Sequence, residues 1–136
     1  MAATQIGGAF DALDQYEFLN LTTFRRSGKP VTSPLWFVRD GERLYLTTFV
    51  ETGKIKRLRA NDRAEVAPAT RGGTTLGPAI PARARFAADL AESERGRRLF
   101  QQRYGWQFRY LDPLFGLVAR WNGGGGKRIY FLLDPA

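Results

Sequence analysis

The sequence contains no cysteine and no histidine, and these two absences exclude most common catalytic and metal-binding chemistry. Without cysteine the chain cannot build a disulfide framework, a thiolate zinc site, an iron–sulfur cluster or a cysteine nucleophile. Without histidine it lacks the commonest metal ligand and general base, and it cannot form a Ser-His-Asp triad. No group of carboxylates has metal-ligand spacing, so no metal site is predicted. Any redox chemistry would therefore be carried by a bound organic cofactor.

Long apolar runs are also missing. No stretch approaches the ~20 apolar residues that a membrane span requires, and residues 1–10 lack the basic start and apolar centre of a signal peptide. We therefore expect a cytoplasmic protein with no membrane partner. At 136 residues and 43% hydrophobic composition, the chain predicts one domain, residues 1–136, around a single core.

Acidic residues are few relative to basic ones, 13 against 21, which gives a net charge of +8. A basic chain attracts polyanions. The candidates are nucleic acid, an anionic membrane surface, and a phosphorylated or polycarboxylate ligand. The alternative is a basic surface that is simply solvated and binds no specific anion.

Hydrophobic periodicity and turn residues predict the order helix, three strands, helix, two strands, helix, strand. Asp40-Gly41 is the strongest hairpin signal, because both residues tolerate a positive φ. The strands are short and joined by tight turns, which favours antiparallel pairing in a small barrel. The fold class is therefore α+β, an antiparallel six-stranded barrel with two to three helices. The predicted strands are residues 18–25, 31–39, 44–50, 65–70, 80–88 and 128–133, and the predicted helices are 9–18, 54–61 and 89–104.

Two segments suggest phosphate binding. The glycine run 123–126 before Lys127 is similar to a phosphate-binding loop, but Trp121 and Arg128 occupy positions that the motif reserves for Gly and Ser/Thr, so it predicts a plain loop. Thr52-Gly53-Lys54 opens a helix directly after a strand, and a helix start combined with lysines is a natural phosphate site. A solvated basic helix and a nucleic-acid-binding helix remain alternatives, the latter because aromatic residues can stack on bases.

The runs PVTSPLWFVRDGERLYLTT and TGKIKRLRANDRAEVAPATRGG resemble the pyridoxamine 5'-phosphate oxidase-like split β-barrel proteins, also called FMN-binding split barrels. The resemblance covers about residues 16–104. It is closest to small actinobacterial oxidoreductases that use flavin or the deazaflavin coenzyme F-420. Its parts are the Pro-x-x-(Ser/Thr)-Pro-x-Trp strand, the Tyr-x-x-Thr strand, and the Gly-Lys-x-x-x-Leu-Arg helix start.

The resemblance implies a homodimer with the cofactor at the subunit interface. It also implies the cofactor-binding residues. It places four residues beside the ring system, namely Ser33, Pro34, Leu35 and Trp36. It places five toward the phosphate, namely Thr47, Thr48, Thr52, Gly53 and Lys54. Two further cations near the phosphate position, Lys56 and Arg71, suit an anionic cofactor tail.

The function implied is that of an oxidoreductase in which coenzyme F-420 passes a hydride to a small conjugated acceptor. The net charge of +8 favours this coenzyme, because its phosphodiester and oligoglutamate tail add negative charge. No catalytic side chain is assigned and the substrate is left open. The alternatives are an FMN-binding oxidoreductase, a non-catalytic cofactor carrier, and a basic nucleic-acid-binding domain, although nucleic acid is not the expected partner.

Apolar residues on the second and third predicted strands also favour dimerisation. Trp36 and Val38 on one strand, and Tyr45 and Phe49 on the next, offer more apolar surface than one small barrel needs to cover. We therefore expect a homodimer with an interface above about 1,000 Å².

Overall fold

The computed structural model describes residues 8–49, 52–105 and 128–136. These form six strands and two α-helices, preceded by a short 3-10 turn at Asp11–Leu13. The elements are β1 Phe18–Phe24, β2 Pro30–Asp40, β3 Arg43–Phe49, α1 Gly53–Ala60, β4 Arg63–Ala69, β5 Ile80–Phe86, α2 Leu90–Tyr104 and β6 Arg128–Pro135.

The strands close into a barrel in the order β1-β2-β3-β6-β5-β4, and every neighbouring pair is antiparallel. The last strand in sequence, β6, lies between β3 and β5, so it closes the barrel. The predicted α+β class and six-stranded antiparallel barrel are confirmed. Closure leaves no sheet edge free along most of the barrel, which removes the aggregation risk of an exposed edge.

The N-terminal segment differs from the prediction. The helix expected over residues 9–18 is reduced to the 3-10 turn, although Phe10 and Leu13 are fully buried. Arg39 of β2 binds Asp11 at 2.5 Å and Asp14 at 2.9 Å, which holds the turn against the barrel. The apolar spacing therefore predicted correctly that Phe10 and Leu13 are buried. A full helix does not form because the chain must extend again by Phe18 to enter β1.

The hairpin between β2 and β3 is confirmed, with its turn one residue later than expected. Asp40 still pairs with Arg43, so the two-residue loop is Gly41-Glu42. Gly41 has φ 65°, whereas no described residue other than glycine has a positive φ. Of the two loop residues, only Gly41 adopts the left-handed conformation, and it has no Cβ to oppose it. The glycine loop 123–126 lies outside the described residues.

Two apolar clusters lie on either side of the sheet. The interior cluster fills the barrel and includes Phe37, Leu46 and Phe131. The second lies outside the barrel beneath α2, where its buried members are Val38, Tyr45, Phe100, Tyr104 and Leu132. Alternation along the strands sends successive side chains to opposite faces and so supplies both clusters.

Helix α2 approaches the sheet closely at Gly96. A Cβ at this position would lie 2.9 Å from ring carbons of both Tyr45 and Tyr130, so only glycine permits this packing distance. Val38 and Tyr45, two of the four apolar residues from which a dimer was expected, are 6% and 2% exposed because α2 of the same chain covers them. They give no support to a dimer, which stays a prediction.

A capping network starts α2 at Asp89, the first residue of the predicted helix 89–104. The carboxylate of Asp89 accepts a hydrogen bond from the Glu92 backbone N–H at 2.9 Å. The Glu92 carboxylate accepts from the Ala88 backbone N–H at 2.8 Å and from both terminal nitrogens of Arg85 at 2.6 and 2.9 Å. These bonds join the helix start to β5 and satisfy donors that a helix N-terminus leaves free.

The same network predicts an acid-sensitive step in stability. The Arg85 guanidinium, helped by the Ala88 N–H, lowers the pKa of Glu92 from 4.5 to about 2. Because the folded-state pKa is depressed, this carboxylate stabilises the fold above pH 4.5 and loses its contribution as pH falls toward 2. We expect Glu92→Gln to reduce stability at neutral pH and to flatten the decline between pH 4.5 and 2, as followed by chemical denaturation. An unchanged slope in that range would contradict the assignment.

Candidate functional site

Strands β2 and β3 part midway along their length, and the gap between them forms a cleft. Their pairing runs from Asp40↔Arg43 to Phe37↔Leu46 and then stops. Beyond this point, residues 34–36 of β2 pair only with β1, and residues 47–49 of β3 pair only with β6. Two strand edges with backbone hydrogen-bonding groups therefore face a ligand-sized gap instead of each other.

A cavity of about 360 Å³ occupies this gap. Its volume falls within the range of about 300–1,000 Å³ that is usual for small-molecule sites. Aromatic and aliphatic side chains make up most of the wall, with two threonines and two arginines at its polar positions. The lining residues are Phe18, Pro34, Leu35, Trp36, Thr47, Thr48, Phe49, Arg71 and Arg128.

Two arginines supply the charge of the cleft, and each lies over an aromatic ring of its wall. The Arg71 guanidinium carbon is 5.5 Å from the centre of the Phe18 ring, and that of Arg128 is 4.7 Å from the centre of the Phe49 ring. Burial lowers the pKa of Arg128 to about 10, so it remains a cation at neutral pH. No carboxylate occurs among the described lining residues, so the cleft favours an anionic ligand.

The wall around Trp36 is built from stacked rings. The Trp36 ring lies 4.9 Å from the ring of Tyr104 at an angle of 16°, and 6.0 Å from that of Phe18. The Tyr104 hydroxyl lies 2.5 Å from the Phe37 carbonyl and 3.0 Å from the Glu17 carbonyl, and it accepts from the Phe37 N–H at 3.2 Å. Helix α2 thus supports the cleft from behind.

The start of α1 forms a second basic feature at the end of β3. The Thr52 N–H donates to the Phe49 carbonyl at 3.2 Å, so the helix start lies beside a lining residue. The first turn of α1 contains no acidic residue, and Thr52 makes no side-chain capping bond. The Thr52 hydroxyl oxygen is buried and has no hydrogen-bond partner within the described ranges.

Two cations crowd this helix start. Burial and the nearby charge of Arg57 lower the pKa of Lys54. Arg57 folds back so that its guanidinium would lie 2.9 Å from a Cβ at Gly53, and it donates to the Thr23 hydroxyl at 2.6 Å. Positive side chains at the positive end of a helix repel each other and the helix dipole. A bound anion would relieve this repulsion.

The structure brings six of the eleven predicted residues to the cavity wall, namely Pro34, Leu35, Trp36, Thr47, Thr48 and Arg71. Ser33 lies on β2 opposite Leu21 of β1 and is not part of the wall. The other four begin α1 beyond Phe49 and do not line the cavity, and Lys56 among them is exposed. They are Thr52, Gly53, Lys54 and Lys56.

Sequence reasoning missed three lining residues: Phe18, Phe49 and Arg128. Phe18 was interpreted as the end of a helix and the start of a strand, and Phe49 as part of a dimer surface. Arg128 was interpreted as the start of the last strand and as a departure from a phosphate-loop motif. Arg128 pairs with Phe49 across a separation of 79 positions in the chain. The only local signal for Arg128 is that it is a basic residue at the start of a largely apolar strand.

The polar groups of the cleft wall are suited to binding more than to acid–base chemistry. Among the described lining residues the polar side chains are two threonine hydroxyls and two guanidiniums. The Thr47 hydroxyl already donates to the Ile129 carbonyl at 3.0 Å. Neither group exchanges protons readily at neutral pH. Chemistry in this cleft therefore needs a reactive group that the ligand itself provides.

A second depression, of about 500 Å³, runs along the outer side of α2. Its charged side chains include Glu94 and Arg97, which form an ion pair with each other. This pairing leaves less charge for a ligand than the cleft offers. Across the described part of the chain, no group of three or more acidic side chains could hold a metal ion. Neither described helix is long and apolar enough to cross a bilayer.

Comparison with known families identifies the fold. The profile described as pyridoxamine 5'-phosphate oxidase matches residues 9–122 of the chain. The chain belongs to this family. The match spans β1 to α2, which carry every lining residue of the cleft except Arg128. The predicted split barrel is therefore confirmed at the level of family as well as of strand order.

Solved structures agree with this barrel. A FAD-binding protein of Mesorhizobium loti aligns with a TM-score of 0.62 at 14% identity, over 99% of this chain and 88% of the other. An F420 reductase aligns with a TM-score of 0.56 at 17% identity, over 96% of this chain and 94% of the other. HutZ, a haem storage protein of Vibrio cholerae, aligns with a TM-score of 0.60 at 16% identity, over 93% of this chain and 86% of the other. At these identities the similarity concerns the fold alone. No curated protein sequence matches the chain.

Proposed function

We propose that this protein is a deazaflavin-dependent oxidoreductase, which binds coenzyme F-420 in the β2–β3 cleft and passes a hydride to a small conjugated acceptor. The observation that carries the proposal is the cleft itself: two open strand edges, an aromatic wall, and two arginines with no carboxylate among the described lining residues. A flat ring system with an anionic extension matches this arrangement. Family membership supports a ligand of the flavin type.

The residues present fit such a cofactor. Trp36, Pro34 and Leu35 would contact one side of the ring, while Thr47 and Thr48 line the facing strand. The backbone groups of the two parted strands offer donors and acceptors to the polar edge of the ring. The bound cofactor supplies the hydride. The protein binds and orients it and keeps water from its apolar face.

The cofactor phosphate would lie between the cleft and the start of α1. There the start of α1 offers its free N–H groups, the Thr52 hydroxyl and the Lys54 ammonium. Arg71 and Arg128 extend this charge along the cleft. Lys56 is an exposed cation on the same helix and is available to a longer anionic tail.

Lys54→Ala tests the phosphate position. A charge-assisted contact to a phosphate contributes about 1.5–3 kcal/mol, but Arg57 lies at the same helix start and keeps part of the attraction. We therefore expect the dissociation constant for the cofactor to rise about tenfold, as measured by fluorescence titration. Lys29→Ala, an exposed lysine in the β1–β2 turn, is the control and should leave binding unchanged. Equal binding by Lys54→Ala and the unmutated protein would contradict the phosphate position.

The experiment that tests the proposed function compares coenzyme F-420 with FMN on the same cofactor-free protein. Both have a tricyclic ring and a phosphate, and they differ in the anionic tail. Exposed cations act on a flexible tail mainly through long-range attraction, which salt screens over about 10 Å at 0.1 M. We expect F-420 to bind more tightly and with the steeper salt dependence. Neutralising Lys56 and Arg71 together should flatten the F-420 slope and change the FMN slope little.

Other outcomes of this comparison favour the alternative functions. Equal salt slopes with tighter FMN binding would favour an FMN-dependent oxidoreductase. Tight binding with no hydride transfer to any of a panel of conjugated acceptors would favour a cofactor carrier. Binding of neither cofactor, together with a steep salt dependence of DNA affinity, would favour the nucleic-acid alternative.

The proposal includes a homodimer with the cofactor at the subunit interface. The cleft is open on its outer side, and a second subunit would cover a ring bound between β2 and β3. Light scattering at micromolar concentration should give twice the monomer mass. A monomer that still binds the cofactor would remove the shared site from the proposal and leave the rest intact.

A further inference from the structure

Asn20 is a buried polar residue that neither the predicted site nor the cleft wall includes. It lies on β1, between Pro34 of β2 and Ala67 of β4 in the strand register, and it is only 4% exposed. Phe18, two residues earlier on the same side of the strand, lines the cleft. Asn20 is therefore next to the site without touching the cavity.

Its side chain binds the loop that carries Arg71. The Asn20 amide nitrogen donates to the Gly73 carbonyl at 2.8 Å and to the Thr75 hydroxyl at 2.9 Å. The Gly73 carbonyl can only accept, so the amide must turn its nitrogen toward the loop. Both hydrogens of the nitrogen are then used in holding residues 73–75 against the outside of the barrel.

The loop is short and rigid between this anchor and Arg71. The Thr70 N–H donates to the Thr74 carbonyl at 2.9 Å, and the Gly73 N–H to the Thr70 carbonyl at 3.0 Å. The Thr74 N–H donates to the Thr70 hydroxyl at 3.0 Å. Gly73 has φ 96°, and a Cβ there would lie 3.6 Å from Pro34, so the loop rests directly on a lining residue. Within this closed turn, the place of Arg71 depends on where Gly73 is held.

We propose that Asn20 is a positioning residue for the site: by anchoring Gly73 and Thr75 it holds Arg71 over Phe18 at the mouth of the cleft. Arg71 is exposed, and an exposed cation contributes to binding only when the entropy lost in ordering it is small. The anchor provides this order before the ligand arrives. The inference rests on the proposed function, because it assigns Arg71 to the anionic part of the cofactor.

The test is a double-mutant cycle between Asn20→Leu and Arg71→Ala. Leucine keeps the bulk beneath the loop and removes both donated bonds. We expect each single variant to weaken F-420 binding about threefold to fivefold and to change FMN binding little, because Arg71 acts on the anionic tail that FMN lacks. The double variant should bind no more weakly than Arg71→Ala, because Asn20 acts through Arg71. Thr75→Val should give a smaller loss, and Thr75→Ser, which keeps the hydroxyl, should restore binding.

Hydrogen exchange supplies a measurement that needs no ligand. Asn20→Leu should speed exchange at the Gly73 and Thr74 amides, which the loop bonds protect. The matched control is Thr22→Val, on the same strand and the same outer side, where the hydroxyl lies 2.7 Å from that of Thr32 and does not touch the loop. This control should change neither loop exchange nor cofactor binding.

The outcomes separate the inference from the proposed function. If the unmutated protein binds neither cofactor, the proposed function fails and the role of Asn20 fails with it. If it binds them but the losses of Asn20→Leu and Arg71→Ala simply add, or Asn20→Leu binds normally, only the positioning role is overturned. Non-additive losses with faster loop exchange support it.

Discussion

Replacing Tyr104 with alanine is expected to lower the free energy of unfolding by about 3–5 kcal/mol, the cost of removing a large buried aromatic side chain. Tyr104 is 5% exposed and lies at the end of α2 in the cluster beneath that helix. Its ring stacks against Trp36 at 4.9 Å and Phe100 at 5.6 Å. The truncation therefore removes the contact that joins α2 to the wall of the cleft.

The hydroxyl has a separate role that Tyr104→Phe isolates. It lies just beyond the first β1–β2 pair, Phe18↔Trp36, and bridges the Phe37 backbone to the Glu17 carbonyl. The hydroxyl therefore gives these backbone groups a hydrogen-bond partner at a point where β1 has not yet begun to pair with β2. Removing it leaves buried backbone groups unsatisfied, at a cost of about 1–3 kcal/mol.

Urea denaturation measures both variants, with Tyr16→Phe, a tyrosine upstream of β1, as the control. Stability should fall in the order control, Tyr104→Phe, Tyr104→Ala. Cofactor affinity should fall in Tyr104→Ala, because Trp36 loses its support. A Tyr104→Phe variant as stable as the unmutated protein would show that the hydroxyl bridge contributes nothing.

Arg128→Ala is expected to have the largest effect on ligand binding, a rise of about a hundredfold in the dissociation constant for the cofactor. Such a rise corresponds to about 2.7 kcal/mol, within the 1.5–3 kcal/mol range for a hydrogen bond to a charged group. Burial already lowers the pKa of Arg128 to about 10, so the charge lies in a partly desolvated place where its attraction for an anion is screened little.

Arg63→Ala is the matched control for this prediction. Its guanidinium also lies over a phenylalanine, 4.1 Å from the centre of the Phe24 ring, but on β4 and away from the cleft wall. Its side chain is exposed, so removing it should cost less packing than Arg128→Ala and leave binding unchanged. Arg128→Lys should bind at an intermediate level, since it keeps a charge but loses the flat group over Phe49. Equal affinities of Arg128→Ala and the control would remove Arg128 from the site.

Local chemistry explains why much of the fold was predictable. The Asp89–Glu92 cap, the end of α2 at Gly105 and the glycine in the β2–β3 turn each depend on residues within four positions of one another. Alternating apolar residues then placed the six strands to within two residues at either end. The helix expected over residues 9–18 failed because apolar spacing reports burial, and a 3-10 turn pinned by Arg39 buries the same side chains.

The candidate site was predictable where it follows the two strands of one hairpin. Pro34, Leu35 and Trp36 on β2 and Thr47 and Thr48 on β3 line the cavity, and their binding of a cofactor stays a prediction. The phosphate assignment of Lys54 stays a prediction, because that side chain begins α1 outside the cavity wall.

By itself, the sequence determined the chemistry that is impossible here and the residues that can act. The absence of Cys and His excludes thiolate and imidazole chemistry, and the excess of basic residues favours an anionic ligand. The sequence also determined the helices, strands and turns whose signals lie within a few neighbouring residues.

Only the tertiary structure decided which distant residues meet. The pairing of β6 with β3 brings Arg128 to Phe49, α2 returns to place Tyr104 behind Trp36, and Asn20 reaches a loop more than fifty positions away. These contacts depend on barrel closure, in which burial of the whole interior outweighs the entropy of closing long loops. No local pattern records that balance, and so the cleft's second arginine, its aromatic support and its anchored loop appear only in the folded chain.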